Sequence, residues 1–391
     1  MSRLADLIEE LCPDGVEYKP LGEVAELKRG QSITKKSITP GDIPVIAGGR
    51  KPAYFTSSAN RTGMTIVVAG SGAYAGFVSY WDQPIFVSDA FSVKVNEEIL
   101  VPRFTYHWVC GKQKELYSLK SGGGVPHVYP KDVAKFKCPI PPLEVQCEIV
   151  RILDQFTTLE AELEAELEAR RAQYEYYRNQ LLSYDALVSR CPNGVQYKSI
   201  GSFSKCVAGA TPNSKNPSLW DGDIPWMSSG EVNKKTVYST NRFITQLGFD
   251  SCSTKMVPAG AVVIALAGQG KTRGTVARIR IELCTNQSLC AIITDKTVDS
   301  DYLFHYLSGQ YDNLRAVSSG DGTRGGLNLK MIRAYKVPVP PIEEQRRIAD
   351  VLDRFDTLVN DISSGLPAEI AARRAQYEYY RDRLLSFPEK K

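Results

Sequence analysis

The run Ala169-Arg170-Arg171-Ala172-Gln173-Tyr174-Glu175-Tyr176-Tyr177-Arg178 occurs again, letter for letter, as Ala372-Arg373-Arg374-Ala375-Gln376-Tyr377-Glu378-Tyr379-Tyr380-Arg381. Chance does not repeat such a run, so the chain is read first as a repeat. Two further pairs extend it. Cys12-Pro13-Asp14-Gly15-Val16-Glu17-Tyr18-Lys19 returns as Cys191-Pro192-Asn193-Gly194-Val195-Gln196-Tyr197-Lys198. Pro139-Ile140-Pro141-Pro142-Leu143-Glu144, with Gln146, returns as Pro338-Val339-Pro340-Pro341-Ile342-Glu343, with Gln345. Between these anchors the halves are much less alike. Gly41-Asp42-Ile43-Pro44 keeps a likeness to Gly222-Asp223-Ile224-Pro225, and Gly70-Ser71-Gly72 to Gly268-Gln269-Gly270. Each half is one variable globule plus one shared connector.

The halves also close on themselves. Arg178–Tyr184 leads into Asp185-Ala186-Leu187 and then Cys191. Arg381–Phe387 stands near the end of the chain, and Ala5-Asp6-Leu7-Ile8 resumes at the matching point before Cys12. The sequence reads as a ring cut once, so the termini are expected to lie together.

The connectors read as long helices. From Leu143 the apolar or aromatic positions run Ile149, Ile152, Phe156, Leu159, Leu163, Leu167, Tyr174, Tyr177 and Leu181. Such spacing makes a narrow seam, the pattern of a coiled coil. Pro141-Pro142 sets the start, and about forty residues would span roughly 60 Å. The second connector repeats the seam at Ile348, Leu352, Phe355, Val359, Ile362, Ile370, Tyr377 and Leu384, with a kink expected at Gly365-Leu366-Pro367. Two such helices related by pseudo-symmetry would pair antiparallel.

The globules read as mixed α/β. Thr65–Ala69 and Val262–Leu266 have the look of buried strands before glycine turns, and Ile85–Val87 and Phe91–Val93 of further strands. Arg103–Leu119 and Tyr302–Val317 read as helical. The fold class expected is therefore α/β: two mixed α/β domains separated by two long helices in an antiparallel coiled coil, with a pseudo-two-fold internal repeat. The expected boundaries are 1–142 and 186–341 for the globular domains, and 143–185 and 342–387 for the spacer helices.

Charge supports a polyanionic partner. The chain has 48 Lys and Arg against 44 Asp and Glu. Residues 22–138 carry 15 basic against 9 acidic side chains and residues 201–337 carry 16 against 10, a net +6 each, which leaves −8 for the rest. Two basic globules joined by acidic connectors suit nucleic acid. No apolar run approaches a membrane span, and the opening stretch, Met1–Gly15, has no apolar core of a secretory signal. Nine Cys at irregular spacing, with no CxxC pair, fit neither a disulfide framework nor a zinc site, and the expected location is cytoplasmic.

Two motifs resemble catalytic ones and are set aside. Ala265–Thr272 fits a relaxed P-loop, but Arg273-Gly274-Thr275-Val276-Ala277-Arg278-Ile279 follows, with glycine and β-branched residues, and reads as a strand rather than a phosphate-binding helix. A tight hairpin that places Lys271 near a phosphate is expected instead. Pro13-Asp14 with Glu17-Tyr18-Lys19 resembles a metal-nuclease core, yet the acids are too close in sequence to meet at one metal from two strands. The copy has Asn193 and Gln196 in their places. His107, His127 and His305 have no partner at metal-ligand spacing. The expectation is no catalytic residue, no metal and no cofactor. What remains is a set of basic and aromatic loop residues as candidate DNA contacts: Lys35, Lys36, Arg50, Lys51, Tyr54, Tyr74 and Lys120 in the first globule. In the second globule they are Lys215, Lys234, Lys235, Lys271, Arg273 and Arg324.

Two dissimilar globules, each followed by a Pro-x-Pro-Pro-x-Glu-x-Gln helix start, resemble the specificity subunit of a type I restriction–modification system over essentially the whole chain. The resemblance implies that each globule is a target-recognition domain and that the helices dock two modification (methyltransferase) subunits, with restriction subunits joining later. It implies a bipartite, asymmetric double-stranded DNA target with an unspecified gap. S-adenosylmethionine, ATP, Mg²⁺ and base flipping would belong to the partners. Val145 and Cys147 stand where the second copy has Glu344 and Arg346, so one partner contact would differ. A non-catalytic assembly scaffold is the alternative, separated by salt-sensitive DNA binding. A nucleotide-dependent enzyme using Lys271 would be revealed by ATP binding.

Residues 161–168 read Ala-Glu-Leu-Glu twice. One such unit turns a helix by about 400° and lengthens it by about 6 Å, so an added unit nearly preserves the face presented to a partner helix. Inserting a third unit is expected to lengthen the unspecified gap of the DNA target by one or two base pairs, at 3.4 Å per base pair of duplex, with both half-sites unchanged. Mapping methylated sites in cells carrying the insertion checks this. An unaltered gap at full activity would show that the helices do not set the spacing.

Overall fold

The computed structural model describes residues 3–34, 38–121, 124–192, 194–268, 272–318, 326–360 and 364–390. It divides into two compact units, Met1–Ala165 with Ala368–Lys391, and Glu166–Pro367. Each unit holds one globule and one end of each connector.

The repeated motifs meet one another at the base of each globule. In the first unit Glu17–Pro20 pairs antiparallel with Lys137–Ile140, Tyr18 opposite Pro139. In the second, Gln196–Ser199 pairs with Lys336–Val339, Tyr197 opposite Pro338. These are two-stranded ribbons, where a proline without an N–H costs no central ladder bond. The chain then turns through Pro-Pro into helix, at Leu143 in the first copy and Ile342 in the second.

Just inside each helix a glutamine holds the junction. The Gln146 carbonyl oxygen accepts the Val101 N–H at 2.7 Å, and its amide donates to the carbonyls of Ile99 (2.8 Å) and Pro141 (2.7 Å). Gln345 repeats this with Asp299 N–H (2.8 Å), Thr297 (3.1 Å) and Pro340 (2.8 Å). Both side chains are fully buried, so an apolar substitute would leave three backbone groups unpaired.

The first globule has a four-stranded antiparallel sheet in the order Ala25–Arg29, Ala90–Val95, Met64–Ala69, Val78–Asp82, and a smaller sheet of Tyr54–Thr56, Ile43–Ile46 and Phe86–Val87. The second has a five-stranded sheet ordered Ser204–Ala208, Leu289–Thr294, Val262–Ala265, Val276–Ile279, Thr236–Val237, and a smaller one of Arg242–Ile244, Trp220–Met227 and Cys284–Thr285. Val276–Ile279 is a strand antiparallel to Val262–Ala265, which removes the helix a P-loop needs. The Ile43-Pro44 and Ile224-Pro225 likeness is structural: Pro44 lies opposite Phe55 and Pro225 opposite Phe243. The Gly70 and Gly268 likeness shifts. Ala69 accepts from the Gly76 N–H and Ala265 from the Gly274 N–H, so the second loop is two residues longer and Gly268 is not the counterpart of Gly70.

The expected globule helices each divide in two, Pro102–Gly111 with Gln113–Ser118 and Ser300–Ser308 with Tyr311–Ala316. They pack on the sheets beside the connectors. Ile66, Phe91 and Phe104 share one core with Val145, Ile149, Leu153, Leu385 and Phe387. Ile264, Ile292 and Phe304 share another with Tyr174, Leu182, Ile348 and Leu352. Connector ends are thus part of each globule's core, and within each unit helix also lies on helix.

The first connector is one helix, Leu143–Leu181. In the first unit Phe156 stacks on Tyr380 at 5.3 Å, and Arg374 pairs with Glu160 and Glu164. Ascending numbers in one helix meet descending numbers in the other, so the pair is antiparallel. Tyr177 meets Phe355 in the second unit in the same way, at 6.0 Å. The second connector is two helices, Ile342–Asn360 and Leu366–Leu384. The expected interruption falls at Gly365-Leu366-Pro367, with Pro367 in the first turn of the new helix. Phe355 to Tyr377 is four residues longer than Phe156 to Tyr174, and the surplus lies where the helix is interrupted. Among the described residues no helix is long and apolar enough to cross a membrane.

The ring closes in the first unit. Tyr18 Oη donates to the Phe387 carbonyl at 2.9 Å, the Val16 N–H donates to Pro388, and the Lys390 N–H donates back to Val16, both at 2.9 Å. Leu4 and Cys12 share the core with Leu385 and Phe387. A permutant with Met1 and Lys391 joined by a flexible linker and new ends near Ser189 is therefore expected to be soluble and to support DNA modification with its partner subunits. Solubility and a methylation assay check this, and an insoluble or inactive permutant would count against closure.

Candidate nucleic-acid interface

At one end of the first large sheet Arg29 lies opposite Phe91, and Ala69 opposite Ala90. Three strand ends therefore deliver Arg29–Ser32, Ser88–Asp89 and Gly70–Ser71 to one edge. Gly30 is there because a Cβ would stand 2.2 Å from the Ser88 carbonyl oxygen. With Val125, His127 and Tyr129 these segments line an open groove. The Arg29 guanidinium lies 5.4 Å from the Tyr129 ring, Lys131 Nζ 5.8 Å from the same ring, and His127 stacks on it at 6.0 Å.

Three of the candidate residues gather on the turn that follows Gly70. Arg50 is exposed, with its guanidinium 5.0 Å from the Tyr74 ring and 5.6 Å from Phe77. Lys120 Nζ donates to the Ala73 carbonyl at 3.0 Å and sits 4.4 Å from the Tyr117 ring. The Gly70–Phe77 turn thus carries a basic and aromatic cluster supplied by three segments. Lys51 is exposed next to Arg50. Tyr54 donates to the Ile33 carbonyl at 2.8 Å and fastens the segment after Gly30. Lys35 and Lys36 lie outside the described residues.

The second globule builds the same end from different side chains. Ala208 faces Cys290 and Ala265 faces Leu289, bringing Gly209–Thr211, Leu266–Gly268 and Asn286–Ser288 together. Gly209 repeats the close approach of Gly30, as a Cβ would overlap the Thr285 carbonyl at 1.8 Å. Thr211 donates to Gln287. Trp226 and Trp220 donate to the carbonyls of Ala210 (3.0 Å) and Asn213 (3.2 Å), and Arg242 lies 3.6 Å over Trp220. Lys215, two residues past Asn213, is exposed. Lys271 and Arg324 lie outside the described residues.

The other candidates in this globule sit elsewhere. Arg273 is buried. Lys235, at φ 58°, donates to Asn360 of the second connector at 3.1 Å, and burial pushes its pKa down. Lys234 Nζ donates to Glu231 (2.9 Å), the Ser239 carbonyl (3.2 Å) and Asn241 (2.8 Å). Burial raises the Glu231 pKa, but the Lys234 hydrogen bond with those from the Ser228 and Asn241 backbone outweighs it and holds the carboxyl below its ordinary range.

Composition alone did not single out Arg29, Lys131, His127 and Tyr129. Their common edge follows from strand order, which the sequence does not print.

Over residues 13–169 and 192–372 the chain matches the family described as the type I restriction modification DNA specificity domain. It is 32% identical over 410 residues to the Escherichia coli EcoR124I/EcoR124II type I restriction enzyme specificity subunit, covering 99% of this chain and 98% of that one. It is 26% identical over 401 residues to the EcoprrI specificity subunit of the same organism, covering 93% of each. The crystal structure of a type I restriction–modification S subunit from M. genitalium has the same fold, with a TM-score of 0.61 at 17% identity over 95% of this chain and 96% of that one. A repeated frame with two differently furnished loop clusters is the form expected of a specificity scaffold. The chain belongs to the type I restriction–modification DNA specificity family. Its work is DNA target recognition, and the catalysis of such systems lies in separate methyltransferase and restriction subunits.

Lys234→Met is expected to destabilise the second globule by about 1–3 kcal/mol at pH 7, because it leaves the buried Glu231 carboxylate without its cation. A depressed carboxyl pKa contributes stability above the unfolded value and loses it as pH falls through the folded one. The deficit should therefore shrink below about pH 4.3. Denaturant titration at pH 7 and pH 3 checks both the size and the sign.

Proposed function

We propose that each globule reads one half-site of a bipartite, asymmetric double-stranded DNA target across an unspecified gap. One observation carries this reading. Both globules present the same sheet end, with Gly30 and Gly209 admitting the same close approach, yet the first furnishes it with Arg29, Asp89, His127 and Tyr129 and the second with Thr211 and Gln287. One frame with two sets of donors and acceptors fits two different short base sequences. Arginine suits guanine edges and glutamine suits adenine, while lysines grip phosphate and fix register.

The contacts proposed are Lys35, Lys36, Arg50, Lys51, Tyr54, Tyr74 and Lys120 for the first half-site, joined by Arg29 and Lys131. For the second they are Lys215, Lys271 and Arg324, whereas Lys234 and Lys235 are held away from this end of the sheet and Arg273 is buried. Of these, Arg50, Tyr74 and Lys120 have the best support, since they cluster on one turn. Residues 1–142 and 186–341 are the recognition domains, and 143–185 with 342–387 the spacers. Two modification subunits dock in the cytoplasm, one per half, with restriction subunits joining later. S-adenosylmethionine, ATP and Mg²⁺ enter with those partners.

Replacing residues 22–138 with the equivalent segment of another family member is expected to change one half-site and leave the other intact, as read from the methylation pattern of host DNA. A change in both half-sites would overturn the two-arm reading.

A further inference from the structure

His107 is fully buried on the globule helix Pro102–Gly111 and touches both connectors of its unit. Its Nε2 lies 2.7 Å from Asp154 Oδ1 on the first connector. Its Nδ1 lies 2.8 Å from Tyr377 Oη on the second. The second unit repeats the arrangement with the connectors exchanged. His305 is fully buried on Ser300–Ser308, with Nε2 2.8 Å from Asp353 Oδ1 and Nδ1 3.1 Å from Tyr174 Oη. Tyr174 and Tyr377 are the same letter of the repeated ten-residue run.

One proton arrangement satisfies each chain. A carboxylate only accepts, so Nε2 carries the hydrogen, Nδ1 accepts, and the tyrosine hydroxyl donates to it. An arginine completes each carboxylate, and here the units differ. Arg103, one turn before His107 on the same helix, donates to Asp154 at 2.8 Å and lies over Tyr80 and Tyr106. In the second unit Arg278 comes from a strand, donates to Asp353 and lies over Phe304. The tyrosine, histidine and aspartate are thus kept in two otherwise unlike globules, and the arginine is supplied from wherever the globule allows.

Apolar packing between a globule and a helix pair has no preferred direction, and a buried polar chain is often replaceable by apolar residues without loss of stability. A chain that must satisfy a directed donor and acceptor on two different helices does fix direction. We propose that His107 and His305 are positioning residues, each locking the attitude of its recognition globule on the helix pair through a Tyr–His–Asp chain, so that the complex accepts one gap length in its DNA target. The inference rests on the bipartite reading proposed above.

The test uses the full chain assembled with its partner subunits. Tyr377→Phe and Tyr174→Phe each delete one hydroxyl and keep the ring. Methylation rates are compared on the cognate target and on targets whose gap is one base pair shorter or longer. The expected result is that the preference for the cognate gap falls by about five-fold per variant, the worth of one net hydrogen bond. Half-site preferences stay as in the unaltered chain, and the melting temperature falls by only a few degrees, since one buried Nδ1 loses its donor. His107→Gln, which can still donate to Asp154 and accept from Tyr377, should keep more of the preference than His107→Leu. An equal rate loss on all targets would make the chain merely structural. An unchanged gap preference in the folded Phe variants would overturn the proposal outright. If the bipartite reading itself is wrong, the unaltered chain shows no gap preference at all, a result distinct from either.

Discussion

Gln146 and Gln345 are held out of water at the two points where a globule becomes a helix. Each joins the carbonyl of the second motif proline, Pro141 or Pro340, to the backbone just ahead of the globule helix that carries the buried histidine. A buried amide with all its bonds made is stiff, and one with a bond missing is costly. The angle at which the connector leaves the globule is therefore fixed at its first turn. The helix carries that angle forward, so the partner helix packed on it within the same unit inherits its place from it.

This constraint explains how two globules can differ so much in sequence. What must be kept is small: a strand ribbon of Tyr18 with Pro139 or Tyr197 with Pro338, the glutamine, and one histidine facing the helices. The loops at the opposite end of the sheet are fastened by side chains of their own globule. Trp220 and Trp226 can hold the loop after Gly209 in one copy while Tyr54 holds the loop after Gly30 in the other. Loop variation on a fixed frame is the usual way a scaffold acquires different binding sites.

The frame was largely legible in the sequence because identity at a distance is a direct signal. The doubled runs marked the connectors, and the continuous apolar Thr65–Ala69 and Val262–Leu266 marked strands that are indeed central. The merging of helix and globule was not legible. Val145 and Leu153 sit off the helix seam and belong to the globule's core, which a helical period alone cannot tell from a wider stripe. The histidines gave no signal at all, since His107 finds its partners 47 and 270 residues away. The loop cluster was half legible. Arg50, Tyr74 and Lys120 stood out by residue type beside glycines, whereas Arg29 and Tyr129 acquire meaning only once strand order puts them on one edge.

Electrostatics divides the labour of the same frame. The globule segments are each +6 while the remainder is −8. Glu160 and Glu164 are partly neutralised by Arg374 on the facing helix and Glu166 by Arg170, but Glu162 and Glu168 keep this stretch of the first connector acidic. A duplex carries one charge per about 1.7 Å of its axis, and at physiological salt it feels protein charge over about 8 Å. Acidic helices repel it over that range and basic loops attract it. Globule segments and connectors thus present fields of opposite sign to a duplex.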